Sequence, residues 1–500
     1  MISKLSKKTI IIFIVFIVAV LFLIFAYYAY PVPGGDSQFY IVPAIQFAKS
    51  GLLISSLFPS GWEIDKLIDQ TGAKRFLFYP PLFPLVLSRL MPEASSWGAF
   101  MGVAFINIIV LSLGALLFYK VINQKGHITW FRVFVIALAL FALAASLAET
   151  GRPEVLARVW IVVAALVPFF AIAKKYDWLF YGLLLGLMGA THPAGSIFFL
   201  LALGIAFGAI YKFKDVALRG GATLLIAFFV CLLAITLGPF GIKETIEGTF
   251  VNAVAVNYSL SFETGDWFTF LNLFNYYFVS QAAPFYGFVI LLMLVAGFFF
   301  YFKYRSRLAT PAVSIICAAV FIYIIGKMIY SGGHVFYISL FAPIIFSVFL
   351  YFFLEVGVFG KGLTLLVFAL VATGFIRTGL LFPFFLKQEA GFNEARTQFA
   401  DFVALASIGN KTRVGVSGGL WALSEEYGEM YVYNTWPEQP KEETAFVFFG
   451  QRYSGMLNPP EVVGCNLISN KFSEALPKMF GIKFANTMPG YGYAIYDCRG

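Results

Sequence analysis

Residues 130–173 read WFRVFVIALALFALAASLAETGRPEVLARVWIVVAALVPFFAIA. An apolar run, 130–148, leads into Glu149, Arg152 and Glu154, and a second run, 159–173, follows them. Runs of this kind approach the ~20 apolar residues that a membrane-spanning helix needs. One arginine and two carboxylates therefore occupy a turn at a membrane surface. Charges flanked by spanning helices are costly and tend to mark function. Asp36 holds a similar place, just after the first hydrophobic run. The pattern predicts a polytopic membrane protein with an acidic site at one membrane face.

Composition agrees. Of 500 residues, 60% are hydrophobic and only 12% are charged, where soluble domains carry roughly 25% charged residues. The 60 Phe and 26 Tyr suit a chain that lies mostly in lipid. About eleven spans follow from the apolar runs: 9–30, 97–119, 130–148, 156–173, 178–191, 193–211, 220–238, 284–302, 309–328, 335–354 and 362–384. The fifth and sixth are short and share the turn Thr191-His192-Pro193.

The net charge of +9 raises the question of nucleic acid. Its placement answers it. Lys4, Lys7 and Lys8 precede the first span, and Lys120, Lys125 and Arg132 fall between the second and third. Lys174 and Lys175, then Lys212, Lys214 and Arg219, then Lys303, Arg305 and Arg307, then Lys361 fall in alternate loops. All these loops lie on one side, which the positive-inside rule makes cytoplasmic. The excess charge is a topology signal, and no nucleic-acid partner is expected. The first apolar run is too long for a cleaved leader, so it reads as an uncleaved helix. The chain is expected to be an integral, multi-pass protein of the cell (inner) membrane. Its N-terminus is cytoplasmic and its C-terminal segment extracytoplasmic.

Three outer regions exceed simple turns. The first, 31–96, holds Gly34-Gly35-Asp36-Ser37-Gln38-Phe39-Tyr40, an apolar segment to Phe58, then Tyr79-Pro80-Pro81-Leu82. Its apolar pieces are too short and Pro-broken to span, and suit helices lying in the membrane interface. The second is 239–283. The third, 385–500, is more acidic and carries shorter apolar runs. It predicts an amphipathic helix over 389–408 and strands over 413–416, 445–449, 461–467 and 493–496. The expected organisation is an all-α transmembrane domain over 1–384, with a small extracytoplasmic α/β domain over 385–500. No internal repeat is evident, which weighs against transporter folds built from repeated halves.

Of four cysteines, Cys231 and Cys317 fall inside spans and read as packing. Cys465 and Cys498 share the outer segment, where an oxidising exterior permits a disulfide as well as two free thiols. No Cys/His spacing resembles a metal site, and three histidines are too few to build one. Neither metal nor cofactor is expected.

Asp36 follows two glycines, which let the backbone bend and approach a ligand closely. A carboxylate half-buried at an interface has a raised pKa and can act as a base; an ordinary solvated turn aspartate fits the position too. Pro153 and Glu154 suit the first turn of a helix and its positive end. Arg152 is harder to explain structurally, because it defies positive-inside, and its guanidinium is made for carboxylate or phosphate. Lys327 and His334 flank Gly332-Gly333, and a cation beside exposed backbone N–H groups can hold a phosphate. A snorkelling lysine at a helix end is the plain alternative. His192, beside Pro193, reads as a turn or packing histidine.

In their order, these motifs resemble the C-superfamily (GT-C) membrane glycosyltransferases, the group of protein mannosyltransferases and lipid A aminoarabinose transferases. The resemblance rests on Asp36 and Tyr40 in the first outer loop, then Tyr79-Pro80-Pro81-Leu82, then Arg152-Pro153-Glu154. A short helix pair around Thr191-His192-Pro193 and a late His334 and Tyr337 entering a helix complete it. It covers roughly 1–383. It implies a polyprenyl-phosphate sugar donor used at the outer face, with an acceptor of unknown kind and membrane lipids as further partners. Asp36 and Glu154 are the implied catalytic pair. Arg152, Lys327 and His334 hold the donor phosphate, and Tyr40, Tyr79, His192 and Tyr337 bind substrate. The group often has Asp-Glu in the first loop, where this chain has Asp36-Ser37, and Glu154 can supply the second carboxylate. A transporter or flippase, and a glycan polymerase or ligase, are the rival readings.

Overall fold

The computed structural model describes residues 7–29, 37–54, 57–59, 80–123, 129–147, 151–170, 176–236, 362, 396–397, 400–401, 404, 413–417, 429–433, 445–450, 457–472, 478–479, 482–483 and 492–499. The expected spans from 284 onward and the region 239–283 fall outside these residues, apart from residue 362.

Nine described α-helices run in order: α1 (Lys7–Ala29), α2 (Gln38–Ser50), α3 (Leu82–Leu90), α4 (Ser96–Asn123), α5 (Trp130–Leu147), α6 (Glu154–Leu166), α7 (Asp177–Thr191), α8 (Pro193–Ile210) and α9 (Phe213–Thr236). The stretches Lys7–Tyr28, Ser96–Lys120 and Phe213–Thr236 are long and apolar enough to cross a membrane, and Trp130–Ala144 is a shorter apolar helix. This is the build of an integral membrane protein. Apolar side chains such as Phe13, Leu21, Phe228 and Leu233 are exposed on α1 and α9, as lipid-facing helices require.

α4 is the central helix, touching α1, α5 and α6 along its sides and α2 and α3 beside them. One end of this group is tied by a buried polar triangle. The Tyr27 hydroxyl donates to the Leu147 carbonyl at 2.8 Å. Asn107 Nδ2 donates to the Tyr27 oxygen at 2.8 Å and to the same carbonyl at 3.0 Å. These bonds join α1, α4 and the last residue of α5, five residues before Arg152.

α7 and α9 approach closely because α7 presents glycines. A Cβ on Gly182 would lie 2.8 Å from Ile226 Cβ, and one on Gly186 would lie 2.7 Å from the Ala227 carbonyl oxygen. Small residues allow such backbone contact between membrane helices. At the start of α7, Asp177 accepts from Arg219 Nη1 at 2.6 Å and from the Tyr211 hydroxyl, pinning that end of α7 to the α8–α9 turn. The other end of α7 reaches His192.

Two expected spans differ in length. α6 ends at Leu166 and passes into a 3-10 turn, Val167–Phe169, rather than running to 173. Pro168 lacks the N–H that an α-helix would use there. α9 starts at Phe213 rather than 220. Lys214, Asp215 and Arg219 extend it past its apolar run with polar residues.

The region 31–96 contains α2 and α3, of 13 and 9 residues. At 1.5 Å per residue these are about 20 Å and 14 Å long, too short to span. Gly51, with φ 74°, caps α2 in the left-handed conformation. The apolar piece at 57–59 is a strand, β1 (Leu57–Pro59), not a helix.

The tail strands are β2 (Arg413–Ser417), β3 (Glu429–Tyr433), β4 (Phe446–Gly450), β5 (Asn466–Asn470), β6 (Lys478–Met479), β7 (Ile482–Lys483) and β8 (Tyr493–Asp497). Six strands make one mixed sheet in the order β1-β3-β2-β4-β8-β5. β4 is buried along its whole length, as a central strand with a continuous apolar run should be. The strand expected over 461–467 begins only at Asn466. Gly464, at φ 76°, turns the chain, with the Cys465 N–H donating to the Val462 carbonyl. β3 was not expected, although Met430-Tyr431-Val432-Tyr433 is rich in strand formers. Residues 396–397, 400–401 and 404 are helical within the expected 389–408. Cys465 and Cys498 are joined by a disulfide that ties the entry of β5 to the exit of β8.

β1 comes from the region 31–96 and pairs in parallel with β3, Leu57 opposite Met430 and Pro59 opposite Val432. Leu57–Pro59 is thereby the edge strand of the sheet that the tail strands form.

Candidate functional site

The site is built around the turn between α5 and α6. Pro153 stands at the N-cap of α6 and Glu154 opens it. The Val155 N–H donates to the Arg152 carbonyl at 3.0 Å, and the Ala157 N–H to the Pro153 carbonyl at 3.0 Å. Proline is favoured here because its missing N–H is one the helix end cannot use.

Glu154 faces inward rather than into solvent. Its side chain is 2% exposed, and its Oε1 lies 3.1 Å from Arg152 Nη2 and 3.6 Å from His192 Nε2. One carboxylate oxygen is thus the hub of a cluster from two turns. Glu154 precedes the apolar run of its helix. Burial raises its pKa, but the Arg152 charge and then the His192 contact outweigh burial and hold the carboxyl below the ordinary range. A carboxylate stabilised in this way is a weak base.

His192 joins the cluster through α8. Its Nδ1 accepts the Gly195 N–H at 2.7 Å, capping the helix that Pro193 opens. The ring hydrogen therefore sits on Nε2, toward Glu154. Thr191, beside it, donates to the Leu187 carbonyl and accepts from Trp160 Nε1 at 3.1 Å. That bond ties α6 to the α7–α8 turn.

Helix α2 seats on this turn. A Cβ on Gly151 would meet Ile41 Cδ1 at 2.4 Å, so α2 packs closely against this turn. Ser37, which follows Asp36 in the chain, is fully buried, and Tyr40 is buried with its ring edge-on to Phe83 of α3. The segments around Tyr40, around Pro81-Leu82 and around Arg152 thus converge.

Of the sequence-predicted residues, Arg152, Glu154 and His192 come together, and Tyr40 sits on the adjacent helix. Tyr40 packs on Phe83, and both His192 ring nitrogens face groups within the protein. Asp36, Tyr79, Lys327, His334 and Tyr337 lie outside the described residues. Sequence reasoning passed over Arg158, a 2% exposed guanidinium one turn beyond Glu154. The signal was available, since an ionisable residue inside an apolar run is unusual. Among the described residues, no group of three or more His, Cys, Asp or Glu is arranged to hold a metal ion.

No protein-family model matches this chain, and no curated protein matches it. Among solved structures the chain is similar to the crystal structure of ArnT from Cupriavidus metallidurans in the apo state. The two are 18% identical with a TM-score of 0.48, over 80% of this chain and 70% of that one.

Proposed function

We propose that this protein is an integral membrane glycosyltransferase that moves a sugar from a polyprenyl-phosphate donor to an acceptor hydroxyl at the outer face of the membrane. The observation that carries this reading is the seat of α2 on the Arg152 turn. It sets Ile41 of α2, a helix whose preceding buried Ser37 follows Asp36 in the chain, beside the turn that carries the Arg152–Glu154 pair.

In this reading Asp36 takes the proton from the acceptor hydroxyl. The oxygen attacks the anomeric carbon, the bond to the phosphate oxygen breaks, and polyprenyl phosphate leaves with the bonding electrons. Direct displacement inverts the anomeric centre. Arg152, with Lys327 and His334, neutralises the phosphate charge as it develops. Glu154, held as a carboxylate by its neighbours, orients Arg152 rather than acting as the base. Tyr79 and Tyr337 contact substrate, and the prenyl chain lies among the Phe-rich helices.

Lipids extracted from the purified full-length protein and read by mass spectrometry test the proposal. The expected result is an enriched polyprenyl phosphate or its glycoside. An extract without polyprenyl lipid, from protein that carries an intact lipid-linked substrate across a vesicle membrane, would replace it with the transporter reading.

A further inference from the structure

We infer that His192 is a positioning residue that fixes the Arg152 guanidinium through Glu154, coupling the α7–α8 turn to the donor site. The role in donor binding rests on the function proposed above; the coupling itself does not. Three observations carry it. Arg152 Nη2 and His192 Nε2 converge on the same oxygen, Glu154 Oε1, at 3.1 Å and 3.6 Å. The opposite ring nitrogen of His192 is engaged by the Gly195 N–H, so the ring cannot rotate away without uncapping α8. All three side chains are nearly excluded from solvent, so they have few alternative positions.

Gly195 belongs to the same device. A Cβ there would stand 2.9 Å from His192 Nδ1 and 3.3 Å from Met188 Sδ. The close approach that aims the imidazole at Glu154 therefore depends on glycine at this position. The sequence reading of His192 as a substrate contact becomes an indirect one.

Two variants separate capping from positioning. Asparagine is a good N-cap, so His192→Asn keeps the cap of α8 and removes the nitrogen that faces Glu154. Gly195→Ala keeps all three residues and displaces the His192 ring. The first readout needs no ligand: the rate at which phenylglyoxal modifies Arg152, mapped by peptide mass. Both variants are expected to raise that rate several-fold while unfolding near the wild-type temperature. An unchanged rate in a folded His192→Asn protein would overturn the inference and leave His192 a helix cap. The second readout is the affinity for undecaprenyl monophosphate in nanodiscs. His192→Asn is expected to weaken it by roughly 3- to 10-fold, and to add nothing in an Arg152→Ala background, the mark of residues acting as one unit. Independent, additive losses would mean that His192 touches the lipid phosphate itself. A wild-type protein that does not bind this lipid, yet shows the labelling change, would sink the proposed function and keep the coupling.

Discussion

Two arginine–carboxylate pairs in this molecule have one residue between their partners, and they sit in opposite surroundings. Arg152 and Glu154 are 3.1 Å apart, with side chains 12% and 2% exposed. Arg499 and Asp497 are 2.7 Å apart, with side chains 55% and 26% exposed, and Arg499 Nε adds a second bond at 3.0 Å. The surface pair has the shorter and better-formed contact. It is nevertheless the weaker determinant, because water solvates either partner when the other is lost. The buried pair has poorer geometry and far larger consequences, because removing one partner strands a charge away from water. Distance alone misleads about which pair matters; surroundings decide.

The largest test of that contrast is to break each pair. Glu154→Ala is expected to destabilise the helical part by ~3–5 kcal/mol, seen as a clear drop in the unfolding midpoint in detergent. Asp497→Ala is expected to lower the midpoint only slightly. Equal effects would dissolve the comparison. Glu154→Gln, which keeps the volume, is expected to fall between them.

A second test asks what holds the tail, if not its surface ion pair. Removing the disulfide by Cys465→Ser with Cys498→Ser is expected to cost ~2–4 kcal/mol, read as faster proteolysis confined to the sheet. Unchanged proteolysis would place the stability of the sheet elsewhere. The smallest expected effect is the pH response of the surface pair. Hydrogen bonds from Arg499 lower the Asp497 pKa to about 2. Its contribution is therefore present above the ordinary carboxylate range and is lost as the pH falls toward 2. Stability measured from pH 5 to 2 should show wild type and Asp497→Asn converging at the acid end. A gap that widens with acid would reverse the sign.

The buried pair was legible in the sequence and the surface pair was not, for a physical reason. Charges inside the apolar stretch 130–173 announce themselves against their surroundings, whereas Asp497 and Arg499 lie in a polar tail where charge is ordinary. Helix positions were legible to a few residues wherever an apolar run set them, as at α1, α4 and α5. Element boundaries slipped where local chemistry overrode the sequence pattern, at Pro168 and the polar start of α9 among the helices and at Gly464 before β5. The entry of Leu57–Pro59 into the tail sheet was not legible, because a pairing across more than 350 residues leaves no local pattern. Of the site, Arg152 and Glu154 were visible as residues. Their junction through His192 was not, since it depends on a helix cap and on Gly195, features that emerge only when two turns meet.

Sugar transfer by the purified full-length chain tests most directly the site at which these segments converge. The protein in nanodiscs is given a polyprenyl-phosphate-linked sugar, and release of free polyprenyl phosphate is measured for wild type and for Asp36→Asn. Wild type is expected to turn over the sugar donor, and the variant ~10²–10⁴-fold more slowly, the usual contribution of a positioned base, with undecaprenyl monophosphate affinity little changed. A folded Asp36→Asn protein that releases polyprenyl phosphate at the wild-type rate would contradict it.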